Sequence, residues 1–292
     1  MEKTVTRARE LCQQLGETLQ LFPVLYRLFV FYYNRWELQT ALELAKQLMH
    51  LAQSVQDLYL FSLAHAALGY TLYLLGELTS ARAHVEQAIA LYDPQKHPRH
   101  TVGTADPRVN CLSYASWTLW TLGYPDQALK RSHEVLDLAE GLSHPLSLAY
   151  ALGFAARFHL LRREGQLARG RAEAVMTLAT EQGFPFWLAF GTMVRGEALA
   201  EQGQVQEGIA QLRQSRAPFA LALLAEAYGK VGQVEEGLTV LAEALDIVDK
   251  TRERVGEAEL YRLKGELTLK QSGVRGPKSL APSTQPLAPK QR

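Results

Sequence analysis

The sequence predicts an all-α fold, a right-handed solenoid of antiparallel helix pairs with a period of about 40 residues. Three observations lead there. A small or apolar residue recurs in one phase at Phe29, Gly69, Ser116, Ala156, Gly196, Ala225 and Gly265, at intervals of 40, 47, 40, 40, 29 and 40. A bend follows most of these markers: Gly76-Glu-Leu, Gly123-Tyr-Pro, Glu164-Gly-Gln-Leu, Gly203-Gln-Val and Gly232-Gln-Val, two of them within near copies, GQVQEGIAQL and GQVEEGLTVL. Finally, Pro107, Pro125, Pro145, Pro185 and Pro218 stand where helices should begin. Proline suits that position because the first N–H has no partner inside the helix and φ is already helical. Helix pairs repeated this way stack on their neighbours, so added length adds repeats rather than a larger core.

Thr4 to Leu15 reads as a helix with Val5, Ala8, Leu11, Cys12 and Leu15 on one stripe, a second helix lacking its first. Pro23 to Tyr33 and Leu38 to Gln53 form a pair with Trp36 at the bend, where other repeats place glycine. Tyr59 to Leu75 and Leu78 to Leu91 follow. The long loop Tyr92 to Asp106 accounts for the 47-residue interval. Helices then open at Pro107, Pro125, Pro145, Gln166 and Pro185. The interval of 29 means that the helix from Val205 stops near Arg213 with almost no connector before Pro218, an expected weak point. Pro218 to Val231 and Val234 to Thr251 form the last pair, and Gly256 to Gln271 is a first helix without its second. The solenoid is thus assigned to residues 1–271, about six pairs with a half-repeat at each end. Residues 272–292 are Pro-rich and basic, without an acidic residue, and are expected to be a disordered, solvated tail.

The stretch His65 to Ala88, with Leu68, Gly69 and Leu72 followed by Ala81, Val85 and Ala88, resembles a tetratricopeptide (TPR) repeat. His65 stands where Trp is usual, Leu72 replaces Tyr, and Pro94 falls one residue late. Longer stretches narrow the resemblance: ARELCQQLGET from Ala8, ELQTALELAKQL from Glu37, ARAHVEQAIALYDPQKH from Ala81, CLSYASWTLWTLGYPDQAL from Cys111, LATEQGFPFWLA from Leu178 and LLAEAYGKVGQ from Leu223. Together they are similar to the C-terminal TPR region of large bacterial signalling proteins, in which a STAND-class ATPase precedes the repeats, often behind a nucleotide-cyclase or protein-kinase domain. The resemblance implies a helical sensor or scaffold arm, not a catalytic domain. The ATPase is absent here, one repeat is short, and the pattern is lost after Ser272, so a fragment, a decayed product or a stand-alone derivative is expected.

Composition agrees. The formal net charge is +1, so no overall field draws the chain to nucleic acid or membrane. Arg27 interrupts the richest apolar run, Leu19 to Tyr33, so no span is expected. Two cysteines, Cys12 and Cys111, are too few for a disulfide framework, which suits a reducing cytoplasm. Catalytic motifs are missing: Gly229-Lys230 lacks the rest of a phosphate loop, and neither HExxH nor CxxC occurs. His97 and His100, with Asp93 and Asp106, share a loop without thiolates and read as solvated. No enzyme, cofactor or metal is expected.

The expected site is the concave groove lined by the first helices. Projecting the repeat places Tyr26, Tyr33, Tyr70, Tyr73, Trp117, Trp120, Tyr150 and Phe190 towards it, with Asn110, Ser113, Arg157, Met193 and Glu197. Aromatics with polar tips bury large areas yet keep a hydrogen-bonding group, which suits a protein or peptide partner, or a small effector such as a sugar. Trp117 and Trp120, three apart on one helix, are the centre of this expectation. The unpartnered helices at Thr4 and Gly256 point to self-association through uncapped ends.

Overall fold

The computed structural model describes residues 18–93, 105–214 and 218–273. Among them are thirteen α-helices: α1 Thr18–Asn34, α2 Leu38–Val55, α3 Leu58–Leu74, α4 Leu78–Leu91, α5 Pro107–Thr121, α6 Pro125–Gly141, α7 Pro145–Leu161, α8 Gly165–Gln182, α9 Pro185–Glu201, α10 Val205–Leu212, α11 Pro218–Lys230, α12 Val234–Thr251 and α13 Glu257–Gln271. Consecutive helices pack as pairs, and each first helix also touches the first helix of the next pair. The predicted helix at 4–15, the loop histidines His97 and His100, and all but the first two residues of the tail lie outside the described residues.

Small residues set the spacing of the pairs. The fourth residue of every second helix is Ala41, Ala81, Ala128, Ala168, Gly208 or Gly237, and the four alanines are fully buried. Facing them on the first helices stand the markers of the 40-residue phase. The Ser116 hydroxyl donates to the Ala128 carbonyl at 3.0 Å across such a crossing. A Cβ at Gly208 would lie 2.6 Å from the Gly196 carbonyl oxygen and 2.9 Å from the Ala200 Cβ, so α9 and α10 meet almost backbone to backbone. Gly208→Ala is therefore expected to cost about 1–3 kcal/mol, because the atoms it strikes belong to helix backbone that cannot rotate away. Chemical denaturation checks this, and an unchanged midpoint would show that the crossing can open freely.

The bends hold the left-handed conformation they need. Gly76, Gly123, Gly203 and Gly232 have φ between 79° and 90°, while Trp36 adopts φ 62° at the equivalent place in the first pair. A bulky residue accepts that strain only where packing holds it. Two expectations change. Pro23 lies inside α1 rather than opening it, because Leu21 and Phe22 extend the apolar face and Phe22 is buried against α2. At the other end α13 does not leave an apolar face bare. Leu260, Leu263 and Leu267 are buried in the cluster shared with α11 and α12, while Arg262 pairs with Glu259 and Glu266 on the exposed side. This end carries a mainly polar cap, although Tyr261 and Leu269 remain exposed.

The array curves until the loop after its sixth pair reaches its second pair. The Arg254 N–H, in the loop between α12 and α13, donates to the Leu74 carbonyl at the end of α3, at 2.8 Å. A Cβ on Gly76 would come within 2.9 Å of the Arg254 Cβ. This contact joins the second pair to the loop after the sixth and bounds one side of a cavity on the concave face.

Candidate functional site

The cavity has a volume of about 510 Å3. Its walls come from the α1–α2 turn, from α3, α5, α7, α9 and α11, and from the α12–α13 loop. Trp36, Trp117, Trp120 and Trp187 all line it, and the chain has only these four tryptophans.

The aromatic lining is one connected packing. On α5, Trp117 stacks on Phe154 of α7 with centroids 4.0 Å apart, and its indole N–H donates to the Phe154 carbonyl at 3.2 Å. Tyr150 stacks on Phe154 at 4.6 Å and meets Trp187 of α9 edge-on at 4.9 Å. Tyr73 lies 6.2 Å from Trp117. On the floor the Tyr33 hydroxyl is hydrogen-bonded to that of Tyr114, joining α1 to α5. Burial raises the phenols of Tyr33, Tyr73, Tyr114 and Tyr150 above their ordinary value, Tyr114 to about 12. They are therefore neutral hydrogen-bonding groups at physiological pH.

Two charged residues line the cavity. Arg157 of α7 donates Nη1 to both carboxylate oxygens of Glu197, at 3.0 and 2.9 Å, and lies 5.3 Å from the Phe219 ring. Burial pushes the Glu197 carboxyl up to about 7, against the pull of Arg157. Glu253 of the closing loop is 2% exposed, and its Oε2 has no hydrogen-bond partner. Burial alone raises it to about 7.

Of the residues projected onto the groove, Tyr33, Tyr73, Trp117, Trp120, Tyr150, Arg157 and Phe190 line this cavity together. The other six do not. Tyr26 stacks between Phe22 and Phe29 on α1. Tyr70 is buried, with its ring against Tyr114 and its hydroxyl 3.1 Å from the Cys111 sulfur. Ser113 is buried and donates to the Val109 carbonyl, because a helical serine reaches the preceding turn more easily than open space. Met193 is buried in the core shared by α7 to α11. The Asn110 Oδ1 is buried without a partner, away from the cavity. Glu197 sits behind the wall as the ion partner of Arg157. Cys111 is buried and its thiol is raised to about 12, which leaves it unreactive. The projection missed Trp36, Tyr114, Phe154, Phe186, Trp187, Phe219 and Glu253. Phe154 and Trp187 lie on first helices and were within reach of the same periodicity. Glu253 carries no sequence signal at all.

Among the described residues no cluster of three or more His, Cys, Asp or Glu side chains could hold a metal, and no helix is long and apolar enough to cross a membrane.

The described residues define a fold class: an all-α, TPR-like solenoid of helix pairs. A tetratricopeptide-repeat family model matches residues 62–87, the stretch that spans the α3–α4 crossing. No curated protein matches the sequence. Similar solved structures include a Rap protein complexed with competence and sporulation factor, at TM-score 0.59 and 13% identity over 88% of this chain and 77% of that one. The apo form of RapI has TM-score 0.56 and 13% identity, covering 86% and 99%. Aspartyl phosphate phosphatase F from Bacillus subtilis has TM-score 0.57 and 12% identity, covering 96% and 77%.

Proposed function

We propose that this chain is a non-enzymatic recognition module whose site is the central cavity, and that its occupant is a segment of a protein or peptide partner. The observation that carries this reading is that all four tryptophans line one cavity. Large aromatics concentrated at one concave surface are the usual centre of binding energy. A Rap protein of similar fold is complexed with competence and sporulation factor, which supports a bound factor here as well. The resemblance to the repeat region of STAND-type regulators adds a role: a sensor or scaffold arm that reports occupancy to an ATPase or cyclase. Co-purification with such a protein tests that role.

The tryptophans also supply the test of the site. A partner recovered by pulldown and titrated into the protein should change the tryptophan emission. Trp120→Ala should weaken its binding about 30-fold, the effect of removing about 2 kcal/mol from a central contact. A partner that binds tightly with no change in emission docks elsewhere, and the cavity assignment fails. One observation favours a second reading, a free small effector: the volume of about 510 Å3 falls in the range of small-ligand sites. In that case a thermal-shift screen would find compounds that raise the melting temperature with no protein partner present.

A further inference from the structure

Glu253 is the part of the cavity that aromatic packing does not explain. Its residue is 2% exposed, its Oε2 lacks any hydrogen-bond partner, and it lines the same cavity as the four tryptophans. A buried carboxyl oxygen without a partner is costly. Its position is nevertheless fixed. The next residue, Arg254, is tied through its N–H to Leu74, and its side chain is paired with Glu257. The remaining charged group on the wall, Arg157, is held by both oxygens of Glu197 and does not serve Glu253. Tyr73, a neutral phenol on α3, is the other titratable group whose field includes both Glu253 and Arg157. The cavity thus presents one uncompensated acid among indole and phenyl rings. Aromatic faces carry negative quadrupole charge and attract cations, more strongly where water is excluded.

From this geometry we infer that the cavity recognises a positively charged organic group, an ammonium, which Glu253 neutralises while the aromatic rings surround its alkyl substituents. The inference rests on the cavity being the binding site and adds the charge of what enters. It disfavours acidic occupants, and neutral ones of the same shape that offer no hydrogen-bond donor, because they would leave Glu253 unpaired. Burial raises the Glu253 carboxyl, and a bound cation would draw it back towards its ordinary value. Binding should therefore strengthen as pH rises through about 7, where the free carboxyl ionises.

Two sources could supply the charge, a free small cation or a lysine side chain of a peptide, and paired probes separate them. Choline is compared with its uncharged carbon isostere, 3,3-dimethylbutan-1-ol. N-acetyl-lysine amide is compared with N-acetyl-norleucine amide. Affinity is read from tryptophan emission, at pH values on both sides of the Glu253 transition. At least one cation should bind about tenfold or more tightly than its neutral partner. Preference for choline assigns a free cation, and preference for the lysine probe assigns a peptide. Glu253→Gln should abolish the preference, and Glu253→Asp, which keeps the charge, should retain part of it. Equal binding of charged and neutral probes, no binding of either cation, or an unchanged preference in Glu253→Gln overturns the inference. The cavity reading survives those results if a pulled-down partner still changes the tryptophan emission and is weakened by Trp120→Ala. It falls separately if no partner does so.

Discussion

Trp117→Ala is expected to lower the stability of the fold by about 3 kcal/mol, at the lower end of what a core aromatic costs, because the residue is only partly buried. Its ring stacks on Phe154 at 4.0 Å and lies 6.2 Å from both Tyr73 and Tyr114. Its N–H holds the Phe154 carbonyl, so truncation removes a hydrogen bond as well as contact area. One side chain thereby links α3, α5 and α7. Trp120, three residues later, meets the Phe158 ring edge-on at 5.6 Å and belongs to a smaller cluster. Trp120→Ala should cost well under half as much, while both variants remove part of the cavity wall on which the proposed binding depends. Thermal and chemical denaturation followed by circular dichroism will show the split. Equal midpoints for the parent and both variants would mean that neither indole contributes to the fold. Equal large losses would mean that both are pure core.

That contrast shows where sequence reading stopped. The helix pairs were legible because their determinants are local: a proline at five helix starts, glycines at four bends with positive φ, and a small residue at each crossing. The concave face was half legible. Periodicity on first helices found Tyr33, Tyr73, Trp117, Trp120, Tyr150, Arg157 and Phe190, but one helix face is wide enough to hold core residues such as Tyr70 and Met193 beside lining ones. Closure was not legible. Whether Arg254 reaches Leu74 depends on the rotation between neighbouring pairs summed along the array, and a small change in each would carry the loop past it. Trp36 and Glu253 join the site only through that closure and the strained turn, so neither could be read from a pattern within its own repeat.

Glu253→Gln should make the protein more stable at pH 8, by up to about 3 kcal/mol, and the gain should vanish near pH 4. In the unfolded chain the carboxyl ionises near its ordinary 4.5, whereas burial holds it protonated in the fold until about 7. A raised acid favours the fold fully below the lower value, and that contribution is lost as pH rises through the upper one. At about 1.4 kcal/mol for each pH unit between the two, the loss comes to about 3 kcal/mol. Glutamine keeps the shape of the protonated acid and cannot ionise, so its stability lacks this slope. Its amide still needs hydrogen-bond partners in the cavity, which makes the figure an upper bound. Other groups titrate nearby in pH but are common to both proteins. His65, lowered to about 4 by burial and by His84, disfavours the fold on acidification, and so does Glu164, held at about 2 first by its hydrogen bonds with Arg162. Glu197 acts in the same sense as Glu253. Subtracting the parent curve from the variant curve cancels all three, provided that the denaturation series is run in matched buffers. A flat difference across the whole range would show that Glu253 is solvated in the fold. The predicted rising difference, together with loss of cation preference in the same variant, identifies a residue that weakens the scaffold in order to hold a charge for a ligand.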